Sequence, residues 1–281
     1  MMFKGKNIFN ASFDIFAENY HSVRPGYPAQ LFEDIRGLCG IDSDSRVLEI
    51  GAGSGIATVE LAKLDCQVVA IEPGANLAAI ARKQTEKFKN VEVFEGTFES
   101  FQSSEQFDAI LAFTAFHWLK GEDRYQTVLN LLNSSGSLVL VWNWFFQSDS
   151  PAVVAVNRVY HEFLADAYPG QKNAAEVNEE IFSILCRREQ RVIQNSLFYP
   201  VFLKKYLVAY NYDAETYPKL INTFPRVLKV EEQKRLKFLE RVSEVVARHR
   251  KISVPILTSL IICKRKDYFL EAVASSGKEG R

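Results

Sequence analysis

Apolar positions along this chain follow two different periods, and the switches between them mark out its elements. Short apolar runs of strand length lie at 46–50, 67–71, 91–94, 107–112 and 137–142. Between them, at 31–38, 56–64, 76–89 and 124–132, apolar residues recur every three or four positions, as one face of a helix requires. Leu77 and Ile80 are expected on the inward face of the third of these helices. A turn at 42–45 delivers the chain to the first strand, and another at 133–136 precedes the fifth. Five strands alternating with helices predict an α/β fold with a doubly wound sheet and right-handed crossovers.

Beyond Asn143 the pattern changes. From 144 to 190 the chain reads as helical and aromatic-rich, with no strand signal. Residues 197–212 look strand-like, and Asp213 reads as the cap of a helix running to Leu220 and bent at Pro218. The stretch 231–249 predicts an amphipathic helix with Leu236, Leu239, Val242 and Val246 on one face. A last strand follows at 252–263, then a polar tail. Residues 8–36 read as an N-terminal arm rich in aromatics, in which Phe13, Phe16 and Tyr20 recur at helical spacing. Two prolines and a glycine in Arg24-Pro25-Gly26-Tyr27-Pro28 exclude a regular helix there and predict a fixed, extended loop.

The candidate chemistry starts where the first strand ends. Glu49-Ile50-Gly51-Ala52-Gly53-Ser54-Gly55 places three alternate glycines between a strand and a helix. Without a Cβ, the backbone turns sharply and lets a ligand approach main-chain N–H groups at a helix start, where an oxygen-rich or negative group is favoured. The second strand ends in Glu72-Pro73, and an acid at that tip suits the two hydroxyls of a ribose. A dinucleotide fingerprint needs Gly-x-Gly-x-x-Gly, yet the sixth position from Gly51 is Ile56 and from Gly53 is Thr58, so neither frame fits.

Glu49-x-Gly51-x-Gly53-x-Gly55 resembles the first motif of the class I S-adenosylmethionine-dependent methyltransferases. The resemblance implies a seven-stranded, mostly parallel Rossmann-like sheet with a helical lid insertion, and S-adenosyl-L-methionine as cofactor. It implies further that Glu49 lies close to the methionine portion, that the Gly51-Ala52-Gly53-Gly55 loop passes beside it, and that Glu72, followed by Pro73, holds the ribose. Leu77 would pack beside the adenine. Thr97 stands where family members commonly carry an aspartate for the adenine amino group, so adenine recognition leans on the Phe98 backbone N–H and on stacking.

The segment Tyr20-x-x-x-Arg24-Pro25-x-Tyr27-Pro28 and the run Ala115-Phe116-His117-Trp118 are similar to a subgroup that includes trans-aconitate methyltransferases. There Tyr20 and Arg24 would cap the methionine end, while Phe113 and His117 would face the reactive end. For His117 three readings stay open: a general base, a polar contact that orients a ligand, and a histidine without chemical duty. Tyr20 is the second candidate base. The resemblance implies that the 144–196 insertion roofs the acceptor pocket, with Trp142, Trp144 and Phe145 lining it; the alternative is that these aromatics are ordinary core residues. The expected organisation is therefore an arm and cofactor-binding half at 1–143, a helical lid at 144–196 and closing strands and helices at 197–281.

Composition narrows the partners. The 34 basic and 34 acidic residues cancel, and the basic clusters at 248–251 and 264–266 are short, so no nucleic acid partner is expected. The four cysteines, Cys39, Cys66, Cys186 and Cys263, contain no close pair, and no metal motif is seen. No run approaches a membrane span, and Asp14 and Glu18 interrupt any leader-like segment. A cytoplasmic methyltransferase acting on a small molecule, as a monomer or homodimer, is the expectation. The alternatives are a non-catalytic S-adenosylmethionine-binding module and an NAD-type oxidoreductase.

Overall fold

The computed structural model describes residues 14, 16–119, 121, 123–166 and 172–267, so Phe9 and Phe13 of the aromatic arm lie outside the described residues. Strands β1 (Arg46–Ile50), β2 (Gln67–Glu72), β3 (Val91–Glu95), β4 (Phe107–Phe113), β5 (Leu132–Phe145), β6 (Phe198–Tyr212) and β7 (Ile252–Arg265) form one sheet, in the order β3-β2-β1-β4-β5-β7-β6. The pairs β1–β2, β2–β3, β1–β4 and β4–β5 are parallel. From β1 the order runs one way to β2 and β3 and the other way to β4 and β5. The carboxyl ends of β1 and β4 therefore flank a topological switch point, where sheets of this kind bind ligands.

The helices are α1 (Ala17–Val23), α2 (Ala29–Cys39), α3 (Ile56–Ala62), α4 (Ala75–Thr85), α5 (Arg124–Leu131), α6 (Pro151–Leu164), α7 (Ala174–Ile193), α8 (Thr216–Ile221), α9 (Pro225–Leu228) and α10 (Glu232–His249). Two of them end or begin on legible signals. Gly40, in the left-handed region at φ 67°, stops α2, and the Asp213 carboxylate accepts the N–H groups of Glu215 and Thr216 before α8. Pro218 falls in the first turn of that six-residue helix, where a missing N–H costs little. No helix among the described residues is long and apolar enough to cross a membrane.

Two compact units are distinguished. The first comprises 27–143, 185–206 and the chain from 258; the second comprises the chain up to 26, 144–184 and 207–257. In the first, Leu31, Phe32 and Ile35 of α2 and Ala57 and Leu61 of α3 join Val47, Ala109, Leu111, Val139 and Val141 of the central strands in one buried cluster. Strands covered on both faces read as continuous apolar runs, which is why the sequence shows them so plainly. The core of the second unit joins Val153, Val156 and Val159 of α6 to Phe238, Val242, Val245 and Val246 of α10. Leu236, expected on that face of α10, is 56% exposed. Two residues along a helix is about 200° of rotation, so seating Phe238 inward turns Leu236 to the outside.

Two strand boundaries also differ. β4 runs one residue past the expected 112 and stops at Phe113, because Thr114 takes a positive φ of 56° and the chain then makes a short 3₁₀ turn at Phe116–Trp118. β5 starts earlier than expected. The turn at 133–136 appears within it as an irregularity, the register passing from Phe107↔Leu132 to Ala109↔Ser137.

Candidate functional site

The glycine loop leaves β1 with Gly51, Gly53 and Gly55 all in the left-handed region, at φ 70°, 58° and 85°. Its amides are already bonded. Gly51 and Ala52 both donate to the Ile71 carbonyl at 2.8 and 2.9 Å, and Gly55 donates to the Ala52 carbonyl at 3.0 Å. Gly53 donates to Glu72 Oε2 at 2.8 Å. The loop amides are therefore not the unpaired N–H groups expected there: the end of β2 takes those of Gly51, Ala52 and Gly53, Ala52 takes that of Gly55, and the helix behind the loop has only seven residues. Two of the glycines also answer to packing. A Cβ on Gly51 would lie 2.6 Å from the Ala115 Cβ, and one on Gly55 would lie 3.0 Å from the Ala81 Cα of α4. The loop is a tightly braced wall rather than an anion cradle.

What the wall presents is negative charge. Glu72 is buried, and its second carboxylate oxygen, Oε1, accepts the Gly74 N–H at 2.8 Å, so the two amides hold the head group in one orientation. Glu49 is 1% exposed and accepts a 2.6 Å hydrogen bond from the Thr58 hydroxyl. Burial lifts its carboxyl group to about 7, against the counter-effect of the Thr58 hydrogen bond and with a smaller further push from the Glu72 charge. A cation placed beside Glu49 would take the place of its proton. Pro73 is exposed in the turn after β2, and Leu77 is buried in the first turn of α4.

After β3, Thr97 is engaged locally. Its Oγ1 accepts the Ser100 N–H at 3.2 Å while its own N–H donates to Ser100 Oγ at 3.2 Å, a reciprocal cap on the 3₁₀ turn Phe98–Ser100. The Phe98 side chain is buried.

The segment after β4 crosses the glycine loop through the Gly51–Ala115 approach. Phe113, expected to face a ligand, is 6% exposed, packed edge-on to Tyr27 at 5.0 Å and stacked on Phe32 at 5.8 Å. The pleat explains this, since adjacent strand residues point to opposite faces and Phe113 takes the one covered by α2. Thr114 is the strained residue: a β-branched side chain at positive φ is a true outlier. Its N–H donates to the Val141 carbonyl at 2.7 Å, and its Oγ1 accepts the Asn143 N–H at 3.2 Å and contacts the Tyr27 hydroxyl at 3.4 Å.

His117 follows in the 3₁₀ turn, half-buried, its ring 4.7 Å from that of Trp118 and its Nδ1 buried without a hydrogen-bond partner. Burial, then the charges of Arg188 and Arg124, push its imidazole down to about 3. Arg188 lies on α7 with its guanidinium 5.7 Å over the ring of Trp142, at the carboxyl end of β5. Thr114, Arg124 and Arg188 escaped the sequence reading. Arg188 in particular sits far downstream of the strands, and no spacing rule ties it to His117.

Tyr20 and Arg24 belong to the second unit. There Arg24 donates to Thr223 through Nε at 2.9 Å and Nη2 at 3.0 Å, and lies over the rings of Tyr20, Phe224 and Phe145 at 5.0, 5.2 and 5.4 Å.

Residues 47–136 match the model of a methyltransferase domain. The chain is 30% identical over 164 residues to an uncharacterized methyltransferase of Alkaliphilus oremlandii, covering 54% of this chain and 74% of that protein. It is 25% identical over 230 residues to an uncharacterized methyltransferase of Schizosaccharomyces pombe, covering 81% of this chain and 84% of the relative. Among solved structures, an S-adenosylmethionine-dependent methyltransferase from Thiobacillus denitrificans, in complex with S-adenosyl-L-homocysteine, has the same fold at a TM-score of 0.51 and 13% identity, over 93% of this chain and 99% of that one.

Proposed function

The chain belongs to the class I S-adenosylmethionine-dependent methyltransferases, and from that premise we propose that it methylates a small-molecule acceptor by in-line displacement. One observation carries the cofactor assignment. A glycine loop whose amides are already bonded is flanked by two buried carboxylates, Glu49 and Glu72. A phosphate would be repelled by that pair, whereas a cationic amino acid joined to a ribose suits it. The Thiobacillus denitrificans enzyme, crystallised with the demethylated cofactor, supports the same reading.

In this reading Glu49 faces the amino-acid half of the cofactor and Glu72, braced by Gly53 and Gly74, accepts the ribose hydroxyls. Gly51, Ala52, Gly53 and Gly55 form the wall beside them. Leu77 and the Phe98 backbone flank the adenine; Thr97, occupied with Ser100, has only a spare acceptor lobe to offer. When bound, S-adenosylmethionine supplies a methyl group already activated by its positive sulfur.

The protein's share of the chemistry is then placement, which contributes about 7–11 kcal/mol when reacting atoms are held aligned. His117 serves as a positioning contact. A general base works best with a pKa near the operating pH, and an imidazole at about 3 is neutral and weakly basic there. The acceptor accordingly arrives ionised or gives its proton to solvent.

Calorimetric titration with S-adenosylhomocysteine and, separately, NAD tests the assignment. The nucleoside is expected to bind and NAD is not. Methyl transfer from labelled cofactor to small-molecule extract fractions, with none to protein or nucleic acid, tests the acceptor class.

A further inference from the structure

The residue that follows β4 holds a backbone conformation unsuited to its type. Thr114 is β-branched and takes φ 56°, a region in which its Cβ crowds the next carbonyl and where glycine or asparagine is the ordinary occupant. Such a cost persists where the surrounding structure holds the residue in place and the site makes use of the turn. The hydrogen bonds around Thr114 show what its side chain supplies.

The parallel pairing of β4 with β5 runs to Phe113↔Val141, so the next rung of the ladder joins Thr114 to Trp142. Half of that rung is made, since the Thr114 N–H donates to the Val141 carbonyl at 2.7 Å. In the other half the Asn143 N–H, which a continued ladder would give to the Thr114 carbonyl, donates to Thr114 Oγ1 at 3.2 Å. The hydroxyl stands in for the carbonyl, and the backbone is released to turn. Glycine, the relaxed choice, has no such oxygen; valine keeps the branch without it.

The same oxygen lies 3.4 Å from the Tyr27 hydroxyl, and the Tyr27 ring packs edge-on to Phe113 at 5.0 Å. The residue before the turn and the turn itself are thus held from one side chain. Past the turn, Ala115 comes so near the glycine loop that a Cβ on Gly51 would lie 2.6 Å from the alanine Cβ. The Trp118 N–H then bonds back to the Ala115 carbonyl at 2.9 Å and closes the 3₁₀ turn that carries His117. The direction taken at Thr114 therefore sets where that turn lies against the loop.

We propose that Thr114 is a positioning residue for methyl transfer. By putting its hydroxyl in place of its carbonyl at the last rung between β4 and β5, it turns the Ala115–Trp118 segment onto the glycine loop and fixes the wall beside the methionine end of the cofactor. The role rests on the methyltransferase reading for the identity of that ligand.

Thr114→Ser, Thr114→Val and Thr114→Gly are compared in the full-length chain by urea denaturation and by calorimetric titration with S-adenosylhomocysteine. Serine keeps the hydroxyl and is expected to bind as the native chain does. Valine keeps the branch but loses the oxygen, and affinity is expected to fall by roughly tenfold or more. Glycine relieves the backbone and loses the oxygen, so its denaturation midpoint should lie above that of the valine variant while its affinity is no better. A side chain that acts only through stability would move both readouts together. Affinity restored by glycine, undiminished affinity with valine, or a loss with serine would overturn the role. Glycine decides the matter if the valine variant does not fold; if neither folds, the hydroxyl is a requirement of folding and the positioning role falls. The amide resonances of Gly51 and Ala115, recorded without the nucleoside, are expected to shift with glycine and not with serine, and a Gly51 resonance unmoved by glycine would also overturn it. Failure of the native chain to bind S-adenosylhomocysteine would instead sink the cofactor assignment, and those resonances report on the turn alone.

Discussion

Gly51 and Ala115 meet across the site so closely that a Cβ on the glycine would sit 2.6 Å from the alanine Cβ. The close approach packs the glycine loop against the segment that carries His117. Gly51→Ala combines this clash with a φ of 70° and is expected to destabilise the protein by about 2–4 kcal/mol. Ala115→Gly in the same chain should recover the steric part but not the backbone part. Urea denaturation of the two single variants and the double variant measures that coupling; simple additivity would mean the contact is not felt.

Gly53 differs from Gly51 in what its amide does, since it orients Glu72. Gly53→Val forces a β-branched residue to φ 58° and pulls that amide away. We expect S-adenosylhomocysteine affinity to fall by about a hundredfold or more, as read by calorimetry. Near-native affinity in a folded variant would remove the loop from the site.

Glu49 makes stability depend on pH in a defined direction. Its carboxyl group lies near 7 when folded, against an ordinary 4.5, so the native state binds the extra proton between those values. Stability from this group is therefore full below pH 4.5 and is lost as pH rises to about 7, by a few kcal/mol at most. Glu49→Gln should flatten that slope in thermal melts across the window. Cofactor binding should release a proton near pH 6.5, visible as a calorimetric heat that changes with the ionisation enthalpy of the buffer; the variant should lose it.

Glu72 is held by two amides, and Glu72→Gln leaves one of them facing an NH₂ group. The expected loss in S-adenosylhomocysteine affinity is roughly tenfold to a hundredfold. A smaller loss with adenine alone than with the whole nucleoside would place the contact on the ribose.

His117 should not titrate between pH 5 and 8, because its imidazole is pushed down to about 3. NMR of the ring Cε1–H resonance checks this directly, with His117→Asn for assignment. A midpoint near 6.5 would return the residue to the candidates for general base.

Much of the first unit was legible because burial on both faces of a parallel sheet leaves uninterrupted apolar runs, and because glycines at positive φ punctuate the loop between β1 and α3. Glu49 and Glu72 were legible by position, one before the loop and one at the next strand tip. The use of the loop amides was not, since only pairing with the end of β2 shows that Ile71 and Glu72 take them. Leu236 was misplaced for a related reason: periodicity gives a face, but which of its residues turn inward depends on the seating of Phe238.

By itself, the order of residues determined the alternation of strands and helices, the glycine loop and the two acids, since these follow from local sterics and from the period of burial. Tertiary structure alone decided that Ala115 closes on Gly51, that Thr114 is strained, that Arg188 comes over Trp142, and that burial, with the Arg188 and Arg124 charges, keeps His117 neutral. Those relations join residues distant along the chain, and desolvation and through-space charge, which set the protonation of Glu49 and His117, exist only once the chain has folded around them.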